Sequence, residues 1–249
     1  MTELVHLGVE AGVAVITLDS PHNKNALSQQ LTSELLAHLQ AADADDAVRV
    51  IVIRSALDVF CSGADLSEAT TVGMGVGAQR MVDVQRAIVA NSKPVVARVA
   101  GPVRAGGIGM VAAADIAVAG ESSTFALTEV RLGLAAATIS LTVIPRLTDR
   151  AAALTFLTGD GFDGTEAARL GLVTRTVPDE DLDAALDAVL KSLLKGAPQG
   201  LRETKKLLNR ELLADIDARG TDLAELSASL FGSPAAQEAM LAFLNRKKS

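Results

Sequence analysis

The sequence predicts an α/β fold, on three observations. Strand-like and helix-like segments alternate through the first half of the chain, and strands joined through helices are mostly parallel. Beyond Glu129 the patterning turns almost continuously helical, which adds a helical layer. The composition allows a large core of one kind: 49% of the 249 residues are hydrophobic but only 2% aromatic, with no Trp or Tyr. The interior must therefore be built from Ala, Val, Leu and Ile.

Val5–Glu10 and Val13–Leu18 read as strands around Ala11-Gly12, a hairpin turn. The polar run from Ser20 to Asn25 is a loop. Ser28 caps a helix over 29–42, with Leu31, Leu35, Leu36 and Leu39 on one face. A strand over 48–53 precedes the turn Phe60-Cys61-Ser62-Gly63-Ala64-Asp65-Leu66. Residues 67–79 hold Gly73, Gly75 and Gly77 without an apolar period, which predicts a mobile loop that shapes a pocket. A helix over 80–90 stops before Lys93-Pro94. A strand at Val95–Val99, an apolar helix from about Gly107 and a strand over 116–119 follow. Helices are then expected over 141–147, Asp149–Thr158, 166–170, 179–195, 198–214, 221–230 and 234–245, with one strand over 173–177. Ser233 suits the N-cap of the last helix and Pro234 its first position.

Charge and rare residues exclude several functions. A net charge of −7 opposes a nucleic-acid or anionic-membrane surface, and scarce aromatics oppose base stacking. The single cysteine, Cys61, rules out an internal disulfide and a multi-Cys metal site, and fits a reducing compartment. His6, His22 and His38 lack ligand spacing, so no metal is expected. No basic run followed by an apolar one opens the chain, and no apolar stretch reaches the length of a membrane span, so a cytoplasmic protein is expected.

The stretch from Val99 to Val130 concentrates the chemistry. Gly106, Gly107 and Gly109 stand where a strand gives way to a helix. Glycine lets a ligand approach the backbone, and the first N–H groups of a helix have no partner inside it. Such a place suits a negatively charged or polarised oxygen. The turn at Gly63-Ala64 has the same character, and the lone carboxylate Glu129 lies beyond. On the residues alone, each glycine turn can be a mere tight turn, and Glu129 a surface group paired with Arg131. A nucleotide loop is rejected, because Ala105-Gly-Gly-Ile-Gly has neither the G-x-G-x-x-G spacing nor a following Lys-Ser/Thr.

Four segments taken together carry a resemblance: Asp19-Ser-Pro-His-Asn-Lys-Asn-Ala-Leu, Phe60-Cys-Ser-Gly-Ala-Asp-Leu, Ala105-Gly-Gly-Ile-Gly with Asp115-Ile116, and Phe125-Ala-Leu-Thr-Glu-Val-Arg-Leu-Gly-Leu. In this order, over nearly the whole chain, they resemble the crotonase superfamily, the enoyl-CoA hydratase/isomerase family. The resemblance implies a crotonase-like spiral of ββα turns over residues 1–190. Residues 191–249 are then a helical trimerisation region of the same continuous unit, with homotrimers often paired into hexamers. It implies an acyl-CoA thioester as substrate, its oxygen held between the N–H groups of Ala64 and Gly106, with Glu129 as acid/base. It places Lys24, Ala26 (by its backbone), Asp65 and Leu66 on the coenzyme A, joined by Phe243 and either Arg246 or Lys247 of the last helix. Coenzyme A is then part of the substrate, and no further cofactor is needed.

One position departs from the family pattern. Typical hydratases carry a second Glu three residues after the oxyanion glycine, and here that position is Gly109. Three readings remain: Glu129 alone handles both protons of a hydration, Glu129 shuttles a proton as in 3,2-enoyl-CoA isomerases, or an acylating or hydrolytic side branch applies. The segment from Arg131 to Ser140 resembles a bacterial hydratase branch acting on branched or carboxylated enoyl-CoAs such as methylglutaconyl-CoA, although its usual Pro is replaced by Ala136. The expected function is hydration of a 2-enoyl-CoA, with Thr138 or Ser140 orienting water. The alternatives are the isomerase and a non-catalytic acyl-CoA-binding protein. Cys61, with no base in view, is read as structural. Arg202, Lys205 and Lys206 are read as solvated or as a subunit contact.

Overall fold

The computed structural model describes residues 2–68 and 74–246. Strands β1 (Val5–Glu10) and β2 (Val13–Leu18) form the expected hairpin. Ala11 and Gly12 have φ of 48° and 83°, the primed turn whose twist matches the strands. Helix α1 (Gln29–Ala44) opens with the Ser28 hydroxyl accepting the Leu31 N–H at 3.2 Å. Then follow β3 (Val50–Ser55), α2 (Met74–Ala90), β4 (Val95–Val99), β5 (Val103–Arg104), α3 (Gly106–Ala113), β6 (Ile116–Gly120) and β7 (Thr124–Ala126). After a 3-10 turn at Thr128–Leu132 come α4 (Ala137–Val143), α5 (Asp149–Thr158), β8 (Phe162–Asp163), α6 (Gly164–Leu170), β9 (Arg175–Val177), α7 (Leu182–Leu193), α8 (Pro198–Phe231) and α9 (Pro234–Arg246).

The larger sheet has the order β1-β2-β3-β4-β6-β9, with only β1 antiparallel to its neighbour. Both of its faces are covered, which is why β3 and β4 read as nearly unbroken Val/Ile runs. Ile51 and Ile53 point into the main core with Leu31, Leu35 and Ile88. Val50 and Val52 point the other way, onto Leu182, Leu186 and Val189 of α7. The smaller sheet, β5-β7-β8, had no periodic signal because its strands are only two or three residues long.

Three expectations are corrected. The glycine-bearing stretch is not a loop throughout, because α2 already starts at Met74; residues 69–73 lie outside the described residues. The two helices expected over 198–214 and 221–230 are one helix of 34 residues, α8. Gly220 does not break it. A Cβ there would lie 2.6 Å from Val82 Cγ1, so glycine serves the close crossing of α8 over α2. The buried stripe Ile216, Gly220, Ala224, Ser227 runs through that crossing at helical spacing. Lys205 is neither solvated nor an exposed contact. It is buried, 2.8 Å from Asp115 Oδ2, and donates to the carbonyls of Ile88 and Lys93 at 3.0 and 2.9 Å. Asp115 in turn accepts the Val95 N–H at 2.7 Å, so this pair fastens α8 to the start of β4.

Candidate active site

Two glycine turns, far apart in sequence, lie against each other. The Arg104 N–H donates to the Cys61 carbonyl at 2.9 Å. Residues Cys61 and Val103 form a parallel bridge. A Cβ on Gly107 would fall 2.6 Å from Cys61 Cβ, and one on Gly63 would fall 3.2 Å from Ala105 Cβ. Contact this close needs glycine on one side of each pair. Gly63 also has φ of 102°, and Ala105 takes φ 46° and ψ −119°, a strained backbone for an L residue. Cys61 is buried, its thiol pushed up to about 12 by burial, and Sγ accepts the Gly63 N–H at 3.5 Å. It is structural, as expected.

These turns leave two amides unused. Among the described residues, neither the Ala64 N–H nor the Gly106 N–H donates a hydrogen bond to the protein. Gly106 is the first residue of α3, where an amide has no helical partner. A side chain there would collide with Leu27 Cδ1 at 2.4 Å and Met81 Sδ at 2.8 Å, so the backbone itself forms the wall.

Ala64, Gly106 and Glu129 line one cleft of about 880 Å³ including its open mouth. Leu27, Met81, Ile139 and Phe231 give it apolar walls. Glu129 sits in the 3-10 turn after β7, which ends at Gly133 in the left-handed conformation, φ 69°. Burial raises its carboxyl to about 7, partly opposed by its own backbone N–H. The residue as a whole is half-buried, but Oε2 is sealed from solvent and has no partner among the described residues. The surface pairing with Arg131 does not occur. Arg131 instead binds Asp160 and donates to the Thr158 carbonyl at 3.1 Å.

No second carboxylate can stand at residue 109. A Cβ on Gly109 would lie 2.6 Å from Ile139 Cγ2 and 3.2 Å from Gln85 Oε1. Of the two hydroxyls expected near water, only Thr138 lines the cleft. Ser140 is corrected: it lies inside α4, and its Oγ donates back to the Ala137 carbonyl of the same helix at 2.6 Å.

The two loops expected on coenzyme A lie side by side: the Ser62 N–H donates to the Lys24 carbonyl at 3.1 Å and Asn23 Nδ2 donates to Asp65 Oδ2 at 2.9 Å. Asp65 lines the cleft. Burial acts to raise its carboxyl, but hydrogen bonds from Ser67 and Asn23 outweigh that and hold it below the usual range. Leu66 begins the 3-10 turn Leu66–Glu68. Lys24 is exposed and Ala26 buried, and the cleft wall beside them is Leu27. Phe243 and Arg246 belong to α9, whereas Lys247 lies outside the described residues.

Sequence reasoning missed Asn25 and Gln85. Asn25 is fully buried; its Oδ1 accepts the Ser20 N–H at 2.7 Å and its Nδ2 donates to Ser55 Oγ at 2.8 Å and the Phe60 carbonyl at 3.2 Å. It thereby clamps the first loop onto the first glycine turn. Its only sequence signal was a residue that tolerates the left-handed region, which it adopts at φ 55°. Gln85, buried on α2, had none. Among the described residues no cluster of three His, Cys, Asp or Glu could hold a metal ion, and no helix is long and apolar enough to cross a membrane.

The family model described as enoyl-CoA hydratase/isomerase matches residues 8–249. The solved structure of an enoyl-CoA hydratase from Mycobacterium avium superposes with a TM-score of 0.92 at 46% identity, covering 99% of this chain and 98% of that one. The human mitochondrial enoyl-CoA hydratase domain-containing protein 2 is 34% identical, over 84% of this chain and 75% of its own. A mevalonyl-coenzyme A hydratase of Aspergillus fumigatus is 30% identical, over 95% of this chain and 90% of its own.

Proposed function

We infer that this chain, which belongs to the enoyl-CoA hydratase/isomerase family, adds water across the 2,3 double bond of an acyl-CoA thioester. The observation that carries the reading is the sealed, unpartnered Glu129 oxygen, on a carboxyl raised to about 7, in the cleft that Ala64 and Gly106 also line. The thioester oxygen accepts from the amides of Ala64 and Gly106. As charge grows on it, these fixed donors stabilise the enolate, each worth roughly 3–4 kcal/mol of barrier. Glu129, its carboxyl raised by burial to about 7, acts in its ionised form and takes a proton from water as the water oxygen bonds C3. It then returns that proton to C2, so one carboxylate closes the cycle.

Gly109 favours a second reading with the same residues. A carboxylate working alone can carry a proton between C2 and C4 of a 3-enoyl-CoA, which is isomerisation without water. Incubation with 2-enoyl-, 3-enoyl-, branched and carboxylated acyl-CoAs, with products identified by mass, separates the two. A gain of one water supports hydration. Conjugation of a 3-enoyl-CoA with no water gained by any 2-enoyl-CoA refutes it, and binding without turnover leaves only an acyl-CoA-binding protein.

Coenzyme A is assigned to Lys24, Ala26, Asp65, Leu66, Phe243 and Lys247, with no other cofactor. A homotrimer, paired or not into a hexamer, is proposed as the working form. It is supported by Leu154 and Leu157, exposed at 58% and 73% on α5, the helix that packs against the 3-10 turn of Glu129, apolar surface that a second copy would cover. Sedimentation of the full chain tests it, and a monomer at micromolar concentration refutes it. A cytoplasmic location is likewise proposed from the single reduced cysteine.

A further inference from the structure

The space beside Gly109 is filled by a polar group with an ordered set of partners. Gln85 is fully buried on α2. Its Nε2 donates to the Met81 carbonyl of its own helix at 3.0 Å and to the Thr138 carbonyl of α4 at 3.1 Å. Its Oε1 accepts the Thr142 hydroxyl at 2.6 Å, one turn further along α4. One amide therefore grips α4 at two points a turn apart, which fixes both its rotation and its axial position against α2. The same Oε1 stands 3.2 Å from where a Cβ on Gly109 would begin.

What this grip sets in place is Thr138. The residue is buried to 8% exposure and lines the cleft. Among the described residues its hydroxyl makes no hydrogen bond to the protein, and it is not one of the sealed, unpartnered atoms, so it keeps some access to solvent in a residue that lines the cleft. Threonine is stiff at χ1 in a helix, and a backbone held at its carbonyl leaves the hydroxyl few directions.

We propose that Gln85 is a positioning residue that holds the Thr138 hydroxyl against the attacking water, supplying the second polar contact that a carboxylate at residue 109 cannot. The proposal rests on the hydratase reading. Water's oxygen bonds C3 and one of its protons passes to Glu129. The other proton stays on that oxygen and donates to Thr138 Oγ1 throughout. No bond to Thr138 or Gln85 forms or breaks.

The test compares two activities that share Glu129 and the amides but differ in their need for water. Hydration of crotonyl-CoA is read as a gain of one water. Exchange of the α-proton of butyryl-CoA in D2O is read as a mass shift. Thr138→Val lowers kcat for hydration roughly tenfold, the worth of one well-formed hydrogen bond, with KM and exchange unchanged; Thr138→Ser restores hydration. Gln85→Met gives the same split, and its combination with Thr138→Val is no worse than either alone, as expected for residues acting as a unit. Thr142→Val, a milder cut of the same grip, shifts hydration in the same direction and serves if Gln85→Met does not fold. Hydration at the wild-type rate in Thr138→Val, or equal loss of hydration and exchange in the Gln85 or Thr142 variant, overturns the proposal. If the unmutated protein exchanges the α-proton but adds water to no enoyl-CoA, the hydratase reading itself fails and this inference falls with it.

Discussion

Replacing Glu129 by Gln separates what the carboxylate does for catalysis from what it does to stability. The rise of its carboxyl from 4.5 to about 7 corresponds, at about 1.4 kcal/mol per pH unit, to about 3 kcal/mol of cost in holding the anion in the fold. The cleft is open at its mouth and the residue only half-buried, so water screens part of this, and about 1–3 kcal/mol is the working expectation. The sign follows from proton counting. Between pH 4.5 and about 7 the folded state binds more protons at this site than the unfolded chain, so stability falls as pH rises through that window. Glutamine keeps the shape and cannot ionise. Urea unfolding at one fixed protein concentration therefore finds Glu129→Gln more stable than the parent by about 1–3 kcal/mol at pH 8.5, with the difference gone at pH 4. Turnover falls by about 10²–10⁴, the usual worth of a general acid–base. In the parent, kcat/KM inflects near pH 7. A variant no more stable than the parent at pH 8.5 refutes the claim that this carboxylate is held in a desolvating pocket.

Three further changes probe the frame around the site. Gly109→Glu, which restores the residue type of two-carboxylate hydratases, drives its Cβ into Ile139 at 2.6 Å. It lowers stability by about 2–4 kcal/mol in thermal unfolding and adds no hydration activity. Lys205→Met leaves the Asp115 carboxylate buried without its cation, and costs about 3–5 kcal/mol by denaturant titration; a loss below about 1 kcal/mol would show the pair to be solvated. Gly220→Val forces α8 away from Val82, costs about 1–3 kcal/mol, and raises KM more than it lowers kcat, because Ser227 and Phe231 of the same helix line the cleft.

Much of the frame was legible because it is written at short range. The hairpin, the Ser28 cap, Val95–Val99 and Asp149–Thr158 fall where periodicity and capping put them. Local signals failed where a distant contact decides. Residues 215–220 part the pattern into two helices until Val82 is seen against Gly220, and Lys205 reads as solvated or as a subunit contact until Asp115 is seen beside it. The strands of the smaller sheet are too short to show a period of two.

By itself, then, the sequence determined an aliphatic α/β core with a helical layer, two glycine turns, and one carboxylate with no second at residue 109. These are matters of residue type and spacing. Only the tertiary structure decided that both turns and Glu129 share a cleft, that Arg131 turns away to Asp160, and that Gln85 and Ile139 occupy the space beside Gly109. The reason is physical. Desolvation, which lifts Glu129, is a property of everything packed around a group, and the groups around this one come from parts of the chain that share no local pattern.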